Sequence, residues 1–337
     1  MLELSSDAEA KGLASTRCTQ AFCFFSGPFP QTPIAWFLLL LMSNSVHLPV
    51  LLETILENLG LAPGSTVVDG TLGGGGHSLS FCEQVGQQGR VFGFDRDPAA
   101  AAQTHDVLPE HGIGIAANYA DIPEYLERLQ VESVDAILLD LGLSSDQLAD
   151  MDRGFSFNSD GPLDLRFDVT AGEPAWRLIN RLGEKHLADL IYEYGEERFS
   201  RRIARKICRL RHEQPIKTAD QLAQIVRSCI PRSKRDKIDP ATRTFQAFRI
   251  AVNEELKWLG VALKRLPDCL AVGGKFAIIS FHSLEDRMVK TAFAEDRRLK
   301  VLTKRPLIAD AAEIADNPRS RSAKLRIAER VSVESGL

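Results

Sequence analysis

The apolar positions of this chain change period several times, and those changes mark out its elements. Val50, Leu51, Ile55, Leu56 and Leu59 recur at helical spacing. A short β-branched run then closes on Asp69, a glycine tract fills 73–76, and a helical segment occupies 78–84. Residues 90–95 read as a second strand closing on Asp95, and 98–108 as an alanine-rich helix with Pro98 suited to its first turn. A short strand over 112–117 has Asn118 and Tyr119 just past its end, and a helix over 123–129 follows. Residues 134–139 form a nearly continuous apolar run ending in Asp140, the pattern of a strand buried on both faces. Strands and helices alternating in this way predict a doubly wound parallel α/β sheet. Ligands of such sheets bind beyond the carboxyl ends of the strands, where Asp69, Asp95, Tyr119 and Asp140 all fall.

After Asp140 the rhythm breaks. Residues 141–168 are rich in Gly, Ser and Asp, and 176–230 read as helices with no strand between them. A charged connector over 234–244 leads into one long amphipathic helix, 244–266. The strand pattern resumes at 275–280, a helix follows at 284–294, and the tail 299–333 is expected to add one or two last strands. The expected organisation is a core of 42–145 and 267–337, with a helical substrate-recognition domain, 146–266, inserted between the fourth and fifth strands. Residues 1–41 look foreign to that core. Their polar, acidic start is wrong for a signal peptide, and the apolar stretch 34–42 is too short to cross a bilayer. A disordered extension, no membrane contact and a cytoplasmic location are expected.

Composition refines this outline. With 337 residues, 44% of them hydrophobic, the chain can bury one large core or two modest ones. Its six cysteines are scattered without a Cys-x-x-Cys pair or a His cluster beside them. That argues against a zinc site or disulfide framework and fits a reducing compartment, and no metal is expected. The net charge of −4 does not suggest a nucleic-acid binder, but the charge distribution does. Residues 196–240 hold thirteen Lys or Arg against six Asp or Glu, and 297–330 hold ten against four. Arg201, Arg202, Arg205, Lys206 and Arg209 can share one helical face. A solvated helix face is the plain alternative, whereas cations tracking a phosphate backbone supply most non-specific nucleic-acid affinity.

The candidate chemistry sits at the strand ends. Glycines after a strand admit a bulky ligand against the main chain, and the next helix offers unpaired N–H groups. An acid ahead of the glycines, Asp69, repels a pyrophosphate but suits a sulfonium. Asp95 is placed for ribose hydroxyls, a logic shared with dinucleotide folds. Together they favour S-adenosylmethionine over a nicotinamide cofactor. Methyl transfer is an in-line displacement that rests on positioning. For an exocyclic amino group it also needs an acceptor for the N–H, which the fourth-strand Asp140 provides. A cofactor-ligand role for Asp140 stays open, because Leu141-Gly-Leu-Ser-Ser145 follows it rather than a Pro-Pro-aromatic run. In Ser280-Phe-His-Ser-Leu-Glu-Asp-Arg287, Ser283 is expected to cap a helix and His282 to contact the substrate base or phosphate. His77 suits ligand contact or helix-start packing equally. The loop Arg153-Gly-Phe-Ser-Phe157 offers aromatic faces either to an extruded base or to the core.

These stretches carry a resemblance. His47-Leu-Pro-Val-Leu-Leu52, Asp69-Gly-Thr-Leu-Gly-Gly-Gly-Gly-His-Ser78, Asp95-Arg-Asp97 and Asp140-Leu-Gly-Leu-Ser-Ser-Asp-Gln147 come first. Arg153-Gly-Phe-Ser-Phe157, Tyr194-Gly-Glu-Glu-Arg198, Phe245-Gln-Ala-Phe-Arg-Ile250, Ser280 to Arg287 and Asn317-Pro-Arg-Ser-Arg-Ser322 follow in register. Together they resemble the RsmH (MraW) family of bacterial ribosomal small subunit methyltransferases. The resemblance implies a Rossmann-like class I core that uses S-adenosylmethionine to methylate the N4 of one cytidine in 16S rRNA, near the ribosomal P site. It implies cofactor contacts at Gly75, Gly76, His77, Asp95, Tyr119, Asp140 and Gln147, with 16S rRNA in the small subunit as partner and a homodimer left open. Tyr119 stands where members often have Phe, and Leu165 and Phe167 where Met is usual. The rivals are a nicotinamide-dependent oxidoreductase, against which Asp69 counts, and a non-catalytic rRNA-binding assembly factor, against which Asp140 and His282 count.

Overall fold

The structure is a computed structural model that describes residues 48–157, 160–231 and 239–332. The expected extension 1–41 and His47 lie outside the described residues. The chain runs α1 (Leu52–Leu59), β1 (Thr66–Asp69), α2 (Gly76–Val85), β2 (Arg90–Asp95), α3 (Pro98–His105), β3 (Gly112–Ala116), α4 (Ile122–Arg128) and β4 (Val134–Asp140). The short α5 (Ser145–Ala149) precedes a run of helices: α6 (Ala175–Arg181), α7 (Glu184–Gly195), α8 (Ser200–Arg211), α9 (Ala219–Arg227), α10 (Thr242–Asn253) and α11 (Glu255–Arg265). Then come β5 (Leu270–Ser280), α12 (Ser283–Glu295), β6 (Leu299–Val301), α13 (Ala311–Asp316) and β7 (Lys324–Arg330).

The seven strands form one sheet in the order β3-β2-β1-β4-β5-β7-β6, parallel except that β7 runs against both its neighbours. This is a Rossmann-like doubly wound sheet with one antiparallel strand near its edge. The order reverses between β1 and β4, which opens a crevice beyond their carboxyl ends. Strand alternation sorts the core into two layers. Val67, Ala136 and Leu138 pack with Ile55 of α1 and Phe81 of α2 on one face. Val68, Ile137 and Leu139 pack with Ile122 of α4, Leu259 of α11 and Phe293 of α12 on the other. A third cluster, separate from both, joins Ile179, Ile191, Ile203, Leu222 and Phe248 of the helices after β4.

One expected element differs. Instead of a single helix over 244–266, the chain breaks at Glu254, whose φ is 51°. The break lets α10 serve the helical cluster through Phe245 and Phe248, while α11 serves the sheet through Leu259 and Leu263. A straight helix carrying one apolar stripe cannot face two cores. The packing therefore passes back to the sheet at Glu254, earlier than the expected boundary at 266. Cys82, Cys208, Cys229 and Cys269 are free thiols. Among the described residues no helix is long and apolar enough to cross a membrane.

Candidate active site

The turn after β1 is built by backbone geometry that side chains would block. Gly75 has φ +79°, and a Cβ there would come within 2.5 Å of Thr104 Cγ2. It starts α2 from outside the cleft wall, while Gly73, Gly76 and His77 line the cleft. The cleft, about 870 Å³ of empty space counting its open mouth, lies at the crevice between β1 and β4. Asp95 and Arg96 from the end of β2, Tyr119 after β3, Asp140 at the end of β4 and Gln147 of α5 complete one side. Phe167, Glu255 and Glu285 close the other.

Each polar group has a definable state. Asp95 Oδ2 accepts from the Gly73 N–H at 2.8 Å and Oδ1 from the Asp97 N–H at 2.8 Å. Burial nonetheless pushes its pKa up to about 6. Burial also pushes Asp140 up to about 6. Asp140 Oδ1 is buried and has no hydrogen-bond partner among the described residues. Its other oxygen lies 3.9 Å from His77 Nδ1. His77 Nε2 sits 3.0 Å from the Val50 carbonyl, which can only accept, so Nε2 carries the proton and donates. That leaves Nδ1 as the ring nitrogen turned toward Asp140. Burial, with Glu255 and Glu285 nearby, holds the Tyr119 phenol above its ordinary value and keeps it protonated. Gln147 and Ser144 form a reciprocal capping box that fixes α5 beside the cleft.

Asp69 does something other than what its position suggests. It is fully buried and off the cleft wall. It accepts the Ser78 hydroxyl at 2.8 Å and the Thr71 N–H at 3.1 Å, tying strand, turn and helix together. Of the acids ending β1 and β4, the one available to a cation in the crevice is Asp140.

His282 is likewise reassigned. It caps α12 itself: Nδ1 accepts from the Glu285 N–H at 3.4 Å, and Glu285 Oε2 accepts from the Phe281 and His282 N–H groups at 2.9 and 3.4 Å. The expected cap, Ser283, instead donates its hydroxyl to Glu196. The His282 ring does not line the cleft, but Glu285 does, and Nε2 lies 3.1 Å from Glu285 Oε1. Burial alone would raise Glu285, yet His282, Arg249 and the Phe281 N–H outweigh it and hold its pKa below the usual value.

Donor atoms of Glu255, His282 and Glu285 fall within 4.8 Å of one another, close enough to share a metal ion. Arg249, however, forks onto both oxygens of Glu255 at 2.9 and 3.0 Å. His282 Nδ1 is taken up by the Glu285 N–H and its Nε2 lies beside Glu285 Oε1, so the three side chains already engage one another and Arg249.

The model of the MraW methylase family matches residues 44–331. Ribosomal RNA small subunit methyltransferase H of Rhodopirellula baltica is 48% identical over 301 residues, covering 86% of this chain and 93% of that protein. The protein of the same name from Synechococcus elongatus is 49% identical over 298 residues, covering 87% and 97%. The chain belongs to the MraW methylase family. Membership makes it an S-adenosylmethionine-dependent methyltransferase.

Of the cofactor residues expected from the MraW motifs, the cleft brings together Gly76, His77, Asp95, Tyr119, Asp140 and Gln147, and leaves Gly75 behind the turn. Phe155 and Phe157 pack with the helical cluster rather than the cleft. Sequence reasoning gave no role to Arg96 or Glu255, which also line the wall. Arg96 carried a signal, since it adjoins Asp95. Glu255 carried none.

Proposed function

We propose that this MraW-family protein methylates the N4 of one cytidine in 16S rRNA, near the P site of the small ribosomal subunit, in the cytoplasm. The observation that carries this reading is the buried, unpartnered Oδ1 of Asp140 at the switch point of the sheet. A carboxylate oxygen left without a donor in a low-dielectric crevice is costly unless a ligand supplies the N–H or positive charge. An amino group and a sulfonium compound each bring one, so the residues present fit the cofactor. Asp95 would hold the ribose hydroxyls, oriented by the Gly73 N–H. His77, Tyr119 and Gln147 would shape the rest of that site.

S-adenosylmethionine supplies an electrophilic methyl group. The chain's own task is to prepare the nucleophile. Cytosine N4 has its lone pair delocalised into the ring, and an N–H donated to Asp140 draws that nitrogen toward tetrahedral geometry. As the N–C bond forms, one amino proton must leave. Asp140 is the acceptor in place, and a pKa of about 6 lets it pass the proton to water near neutrality. Glu285 would face the substrate side with its carboxylate ionised, and His282 would act through it as a positioning residue.

Arg202, Arg205, Lys206 and Arg209 of α8 line a groove beside Ser228 that suits a folded RNA surface, which favours an assembled subunit over free rRNA as substrate. The test is mass-spectrometric mapping of 16S rRNA from cells with and without the gene. Loss of one N4-methylcytidine is expected, and an unchanged methylation map would refute the assignment. A parallel titration with S-adenosylhomocysteine and NAD is expected to show binding of the first alone.

A further inference from the structure

Phe167 is the one aromatic ring that the helical segment after β4 sends into the cleft wall. Phe155 backs it, ring centroids 5.9 Å apart and planes 30° from parallel. Its backbone is pinned at both ends. The N–H donates to Asn253 Oδ1 at 2.8 Å, and the carbonyl accepts from Arg153 Nη2 at 2.6 Å. Two residues earlier, Leu165 adopts φ 64° while wholly buried. A leucine stays in the left-handed region only where its surroundings impose it. The same two residues impose it here: Asn253 Nδ2 donates to the Leu165 carbonyl at 2.7 Å, and the Leu165 N–H donates to the Arg153 backbone carbonyl at 3.0 Å.

This network continues into the cofactor side. Arg153 pairs with Asp97 at 2.9 Å, and Arg96 donates to the Asn253 carbonyl at 2.7 Å with its guanidinium 6.0 Å from the Phe167 ring centre. Arg96 and Asp97 directly follow Asp95, the acid assigned to the ribose. Arg96, next to that acid, carries its guanidinium over the Phe167 ring, so an aromatic face stands on the cleft wall beside the ribose position.

On the methyltransferase reading above, we infer that Phe167 is the face on which the adenine of the cofactor rests, held there by Asn253 and Arg153 of the inserted segment. Aromatic and guanidinium planes both stack purines without demanding hydrogen-bond patterns. The inserted segment therefore contributes to cofactor affinity as well as to RNA contact.

The test is calorimetric titration of the full chain with S-adenosylhomocysteine. Phe167→Ala is expected to weaken binding about tenfold, and Phe167→Trp to retain it. Arg153→Gln is expected to weaken binding less than Phe167→Ala and to add little on top of it, since both act through one ring. KM for RNA at saturating cofactor stays at the wild-type value, and melting curves confirm that each variant folds. Phe167→Ala binding within twofold of wild type overturns the inference. So does a loss that falls on KM for RNA instead, which would assign the ring to the target base. A wild-type protein that binds no S-adenosylhomocysteine overturns the methyltransferase reading and this inference together.

Discussion

The tips of β1 and β4 are neighbours in one sheet, and each closes on an aspartate that burial pushes above the ordinary carboxylate range. They end differently. Asp69 has both oxygens engaged by its own turn and helix, through Thr71 and Ser78. Asp140 has one oxygen with no partner among the described residues and the other 3.9 Å from His77 Nδ1. The register explains the difference. Asp69 stands opposite Leu138, so Asp140 projects two residues beyond the end of β1, into the crevice. Burial alone does not distinguish scaffold from chemistry. The distinguishing fact is whether the chain has already supplied the donors.

The sharpest way to break this comparison is to remove each acid in turn. Asp140→Ala is expected to cut turnover about a thousandfold, with the urea midpoint unchanged or slightly raised, since an uncompensated buried acid is gone. Initial rates on small subunits and urea melts read the two effects separately. Near-native turnover would strip Asp140 of its role. Asp69→Ala is expected to show the reverse pattern. It leaves the Ser78 hydroxyl and Thr71 N–H without their acceptor and costs about 2–3 kcal/mol of stability. An Asp69→Ala protein as stable as wild type would mean that the turn does not depend on that carboxylate.

Acidification sharpens the contrast without mutation. Asp140 needs its carboxylate form to accept an N–H, so turnover should fall as pH drops through about 6. The stability contribution has the opposite sign. Between 3.8 and about 6 the folded protein keeps a proton on Asp140 that the unfolded chain has lost. Stability from this group is therefore present at low pH and lost as pH rises through the folded value. Asp95 contributes in the same direction. Glu285, Asp286 and Asp296, held below their usual values, contribute in the other. The difference between wild type and Asp140→Asn across that window isolates the Asp140 share. A difference that does not change with pH would show that Asp140 is not raised.

Much of the frame was legible beforehand because it rests on local patterns. Apolar runs ending in acids located β1, β2 and β4, and the return of alternation after the helices located β5. What escaped depended on register or on distant contacts. That Asp69 turns inward follows from how far β4 overshoots β1, which no single strand reveals. The break at Glu254 has no glycine or proline to announce it, because two competing cores impose it. Phe167 reaches the cleft wall through Asn253, 86 residues along the chain. Helix-cap rules favoured Ser283 over His282, since hydroxyls cap more often than imidazoles.

That last substitution of roles gives the smallest prediction. If His282 belongs with Asp69 as scaffold, His282→Ala should cost about 1 kcal/mol, the usual worth of an N-cap. Turnover should fall only modestly, through a loosened Glu285. Ser283→Ala should leave α12 intact, because its hydroxyl serves Glu196 rather than the helix start. Glu285→Gln tests the link between the two. It keeps the cap geometry but removes the charge beside the ring, so His282→Ala made in that background should cost less turnover than it does alone. Should His282→Ala instead lower turnover a hundredfold or more with stability unchanged, the ring reaches substrate after all. A side chain that caps a helix would then also act on substrate, and the rule drawn from β1 and β4 would not extend to β5.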